Sequence, residues 1–153
     1  MKKMMKNRKG FTLMEMLIVV AIIAILVIIA IPTFNSALAK ARAATDVANI
    51  RSGYAAALVE AMTNGVDKTT EANNTYYLLK DGSVSNATAD AGNRYTTQGD
   101  SKNATTNTTI GGKFTVGTQI TWNKDQTIKY VVKDVGGVPT VDTITPEAAS
   151  SNP

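Results

Sequence analysis

Few residues in this chain can do chemistry. Cysteine and histidine are both absent, which removes thiolate nucleophiles, disulfides, thiolate-bound metal and the commonest general base. Asp81, Asp90 and Asp100 are scattered without the spacing of a calcium loop, so no metal and no cofactor is expected. Nothing resembles an active site, and an enzyme is not expected. The residue that stands out is Glu15, the only charged side chain between Lys9 and Lys40, at the edge of the apolar run Met16 to Ile31. A carboxylate at the centre of a membrane helix costs roughly 2.5–3.5 kcal/mol, and less near an interface; such a group implies a role and a partner of opposite charge. The span itself supplies no cation. A cut after Gly10 would create one, because Phe11 would then carry a free α-amine one helical turn from Glu15. The carboxylate would also lie in the first turn, where the helix dipole favours negative charge. The pair can close within one chain, or between Glu15 of one subunit and the amine of the next. The second arrangement turns an electrostatic requirement into a polymerisation register.

The element that must position these residues is a basic leader followed by an apolar helix. Lys2, Lys3, Lys6, Arg8 and Lys9 supply five of the 16 basic side chains, while residues 11–153 carry 11 basic against 12 acidic ones. The net charge of +4 therefore belongs to the leader, and no nucleic-acid surface is expected. Basic residues directly before an apolar run direct a chain to a membrane with the basic end cytoplasmic. One reading is a secretory signal peptide, cut at the small-x-small tripeptide Ala37-Leu38-Ala39. Another is a plain single-pass anchor: Phe11 to Phe34 is 24 residues, and about 20 residues at ~1.5 Å each cross a ~30 Å hydrocarbon core. Neither explains Glu15.

Past Pro32, where a kink is expected, helical periodicity continues over residues 35–62. Its apolar stripe runs through Leu38, Ala41, Ala44 or Thr45, Ala48, Tyr54 or Ala55, Leu58 and Met62, with Arg42 and Asp46 paired on the wet face. Gly53 is a mild weakness, and Asn64-Gly65 is the stop. In residues 63–112, 31 of 50 are Thr, Asn, Ser, Gly or Asp, which predicts long exposed loops with little regular structure around one apolar island, Thr75 to Lys80, read as a strand or a short helix docking on the core. Sequons begin at Asn73, Asn86, Asn103 and Asn107, a frequency that chance explains in so Thr- and Asn-rich a segment. Beyond them, residues 113–145 alternate as strands: Phe114 to Trp122, a turn over Asn123 to Gln126, a strand through Ile128, Tyr130 and Val132, a Gly136-Gly137 hairpin, and Val138 to Ile144. Pro139 marks the last as an edge strand. Trp122 is expected as a core anchor. The expected fold is α+β, the helix after Pro32 covering a small antiparallel sheet of three or four strands.

Lys9-Gly10-Phe11-Thr12-Leu13-Met14-Glu15, followed by the apolar run and Pro32, resembles the class III signal of type IV pilins and related pseudopilins. The resemblance covers about Lys9 to Arg51. It implies a leader of residues 1–10, removed by a prepilin peptidase between Gly10 and Phe11, with N-methylation of Phe11. It also implies a membrane and assembly helix over residues 11–34, with Glu15 docking subunits and Pro32 within the helix, and a head over residues 35–153. The lack of a cysteine pair points to a Gram-positive-type pilin or a pseudopilin. The implied function is a filament subunit that waits in the cytoplasmic membrane and reaches the cell surface by polymerising with itself. Its implied partners are the peptidase, an assembly platform and its ATPase. A pseudopilin of a type II secretion or DNA-uptake system is the alternative within the superfamily. A membrane-anchored adhesive or binding module is the alternative of another class.

Overall fold

The computed structural model describes residues 10–67, 69, 70, 74–86, 88–105 and 108–149. Residues 1–9 of the expected 1–10 leader and the sequon asparagines Asn73 and Asn107 lie outside them. One long helix, α1, spans Leu13–Asn64. The chain divides into two units, residues 1–37 and 38–153.

In the first unit α1 is apolar on every side, and its large side chains from Leu13 to Phe34 are exposed. Such a helix lacks the polar face that water requires, and it is long and apolar enough to cross a membrane. Pro32 lies inside the helix without ending it. Its ring removes one backbone donor, and the next residue, Thr33, donates through Oγ1 to the Ile29 carbonyl one turn back at 3.3 Å.

In the second unit α1 lies over a four-stranded sheet of order β2-β1-β5-β6, every neighbouring pair antiparallel. The strands are β1 (Thr75–Leu78), β2 (Val84–Ser85), β5 (Gln126–Val135) and β6 (Val138–Ala148). A separate two-stranded ladder joins β3 (Thr109–Ile110) to β4 (Phe114–Thr115). The fold is α+β, and the Gly136-Gly137 hairpin, the β6 edge and buried Trp122 are as the sequence implies. Period-2 alternation carries the centre of the sheet: Ile128, Tyr130 and Val132 of β5 turn to the core and meet Val141 and Ile144 of β6. Gly65, with φ +79, ends the helix directly after Asn64.

Four expectations are corrected. Phe114 to Trp122 is not a strand beyond Thr115. The Thr115 carbonyl draws in the amides of Gln119 and Ile120, and Gly117 turns at φ +87, so the segment folds back as a loop. Its alternation survives as burial of Phe114, Val116, Ile120 and Trp122. The place in the sheet goes instead to the Thr75–Leu78 island, a strand as one of its two expected forms, and residues 63–112 hold further short strands, more regular structure than expected. The helix stripe is rotated: Ala43, Asp46, Val47, Ile50, Gly53, Ala57 and Ala61 are buried, whereas Ala41, Ala44, Ala48 and Met62 are exposed. The fourth is Gly53, which is a requirement and no weakness. A Cβ there would lie 2.4 Å from Tyr130 Oη and 2.8 Å from Leu78 Cδ1.

Candidate functional site: the capped start of the apolar helix

Gly10, Phe11 and Thr12 precede the first helical residue, so the Gly10–Phe11 peptide is non-helical. Nothing lies within 4 Å of a Cβ placed on Gly10, and Phe11 is 80% exposed. Among the described residues this peptide makes no helical hydrogen bond.

Glu15 has a partner that charge considerations alone overlook. Its Oε2 accepts from the Thr12 backbone N–H at 2.7 Å and from Thr12 Oγ1 at 2.8 Å. Thr12 Oγ1 in turn accepts from the Glu15 N–H at 3.2 Å. This is a reciprocal capping box, Thr12 as N-cap and Glu15 three residues on. It satisfies two of the amide groups that every helix start leaves without an intrahelical acceptor. In hydrocarbon an unmet amide costs several kcal/mol, so the same carboxylate that is costly as a charge is useful as a cap. The T-x-x-E spacing before an apolar run is a sequence signature of this device. The box engages one carboxylate oxygen. Oε1 makes no hydrogen bond among the described residues.

A second cluster holds the head together, and the expected Arg42–Asp46 surface pair gives way to it. Asp46 is 0% exposed. Its Oδ1 accepts from Tyr95 Oη at 2.6 Å and the Gln98 N–H at 2.8 Å. Its Oδ2 accepts from the Gly99 N–H at 2.8 Å and from Trp122 Nε1 at 3.2 Å. Two donors per oxygen suit an acceptor-only carboxylate. Burial and the bond to Asp46 push the Tyr95 phenol up to about 12, and burial raises that of Tyr130, whose Oη donates to the Ile50 carbonyl at 2.9 Å. The periodicity Ala43-Asp46-Val47-Ile50 carries the signal for this cluster. Among the described residues no three acidic side chains gather to hold a metal ion.

The N-terminal segment that carries this cap is similar in sequence to known proteins. Residues 5–31 match the prokaryotic N-terminal methylation motif. The chain is 42% identical over 66 residues to the type IV major fimbrial protein FimA of Dichelobacter nodosus, covering 43% of this chain and 41% of that one. It is 44% identical over 59 residues to a fimbrial protein of Pseudomonas aeruginosa, covering 37% and 38%. The chain thus spans about two fifths of the length of these relatives. No solved structure matches.

Proposed function

We propose that this chain is the structural subunit of a type IV pilus, cut between Gly10 and Phe11, methylated at Phe11, and polymerised through its N-terminal helix. The observation that carries the proposal is the methylation motif at residues 5–31 running into a helix with no polar face. Apolar surface on every side needs lipid before assembly and other subunits after it, and burial in either removes it from water. The chain then has two locations, the cytoplasmic membrane and the cell surface, and its partners are the prepilin peptidase, the assembly machinery and further copies of itself. Pro32 loosens one turn of the helix as it packs. No catalytic role is assigned. The fimbrial names of the relatives favour a pilus over a secretion or uptake pseudopilus.

Thr12 gives the docking role of Glu15 a mechanism. With Oε2 held by the capping box, the carboxylate is oriented before any neighbour arrives, and Oε1 is left for the α-amine of Phe11. Mass spectrometry of the mature N-terminus tests processing: the expected chain starts at Phe11 and carries one added methyl group, while a start at Lys40 or an intact Met1 would sink the proposal. Glu15→Ala tests assembly, with normal membrane insertion and loss of filaments expected. Filaments of ordinary yield from that variant would refute the docking role.

A further inference from the structure

Among the described residues one of the two edges of the sheet is an 11-residue strand, β6, with no strand beyond it, and exposed edges of that length pair readily with other strands. Three features of the structure bear on this edge. Between Val131 and Val132 of β5 the register skips one residue of β6: Val131 faces Thr143, Val132 faces Val141, and Asp142 is the bulged residue. Pairing in an antiparallel ladder alternates, so every second residue of β6 turns its N–H and C=O away from β5. The bulge resets that alternation. Pro139 and Val141 before it, and Ile144, Pro146 and Ala148 after it, oppose the even-numbered residues Asp134, Val132, Tyr130, Ile128 and Gln126 and share one orientation.

The outward carbonyl of this set is identified by its partner. Lys113, on the turn between β3 and β4, donates through Nζ to Val141 O at 3.3 Å and to Asp142 O at 3.4 Å. The bulge brings two successive carbonyls to the same side, and one ammonium meets both. Lys113 is held there by its own turn and the strand after it: its Nζ is 5.1 Å from the Phe114 ring centroid, and its N–H bonds to Ile110 O at 3.2 Å. Of the five outward positions, the two prolines offer no donor at all. At the centre, the lysine takes the acceptor site that an incoming strand's N–H would use.

We propose that Lys113 and the two prolines close the β6 edge against a second copy of β6, with Lys113 as the guard at its centre. The inference is independent of how the N-terminus is processed. It concerns the residues of the sheet and the β3–β4 turn alone.

The absence of native cysteine makes a direct test available. Thr143→Cys places one thiol on the exposed face at mid-strand, where a two-fold antiparallel pairing of β6 brings two copies together. The full chain in detergent micelles, mildly oxidised, is compared with and without Lys113→Met, which keeps the apolar stem and removes the donors. The expected result is a several-fold rise in disulfide-linked dimer with Lys113→Met and none with Lys113→Arg, which retains the donors. Equal dimer yields in all three proteins overturn the proposal. So does loss of cooperative melting in both Lys113→Met and Lys113→Gln, since Lys113 would then be a strut of the head and no guard of its edge.

Discussion

Gly53 and Tyr130 meet where the helix comes closest to the sheet. The Tyr130 hydroxyl reaches under the helix to the Ile50 carbonyl, and the site opposite it has no room for even a methyl group. Gly53→Ala is expected to destabilise the head by about 1–3 kcal/mol, the usual cost of overpacking. Adding Tyr130→Phe removes the nearest clashing atom, so the double variant should lose less than the sum of the singles. A double-mutant cycle by urea unfolding checks this, with a coupling of at least about 0.5 kcal/mol expected. Asp46 makes the opposite kind of demand. Asparagine has a single acceptor oxygen, so in either orientation its NH2 faces two of the four donors. Each buried donor left unpaired costs about 1–3 kcal/mol, and Asp46→Asn should therefore cost roughly 2–5 kcal/mol despite its near-identical shape. Fluorescence of Trp122, the only tryptophan, reports the transition directly. A variant that unfolds at the wild-type midpoint would show that the cluster contributes no stability.

The helix and the strands differ in how local their causes are. The start of α1 follows from Thr12 and Glu15, its end from Asn64-Gly65, and the β5–β6 hairpin from Gly136 and Gly137, whose φ values of +66 and +89 match a two-residue turn with both central residues left-handed. That local origin carries an expectation. Gly136→Asn, which tolerates the left-handed region, should be neutral or raise the melting temperature slightly, while Gly136→Val should cost about 1–2 kcal/mol. Equal melting temperatures for the two variants would refute that account of the turn. The Phe114–Trp122 segment has no such local cause. Its alternation is genuine and its burial follows it, but alternation gives a face and not a partner, and the backbone of this stretch bonds to itself around Thr115.

The head as a whole should be sensitive to alkali. The Tyr95 phenol is pushed up to about 12, and burial raises those of Tyr76 and Tyr130 as well. These groups ordinarily lose their protons near 10. The folded state therefore holds protons that the unfolded chain gives up. The associated stability is fully present below pH ~10 and is lost as pH rises towards 12. Tyrosinate absorbance followed beside Trp122 fluorescence should show the late tyrosines titrating together with loss of the fold. Complete titration near pH 10 with the fold intact would contradict this.

Composition and periodicity were enough to place a membrane-competent helix after the basic segment and to expect an α+β fold beyond it, whereas the grouping of Gly10, Phe11 and Glu15 into one motif came from a family resemblance. These are properties of neighbours along the chain, and charge, apolarity and turn chemistry act over a few residues. Thr12 was equally visible as half of a T-x-x-E box, although a reading of Glu15 as a charge passes over it. Tertiary structure alone settled which side of the helix past Pro32 is buried. An alanine-rich helix carries weak contrast between its faces, and the choice fell to the face whose small residues, Ala43, Gly53, Ala57 and Ala61, let the sheet approach. It also settled that Asp46 points inward, because the four donors that make its burial tolerable come from residues 95–122, far along the chain. The position of Lys113 over the bulged edge of β6 belongs with these. It depends on a register skip between two strands, a relation that no residue carries by itself.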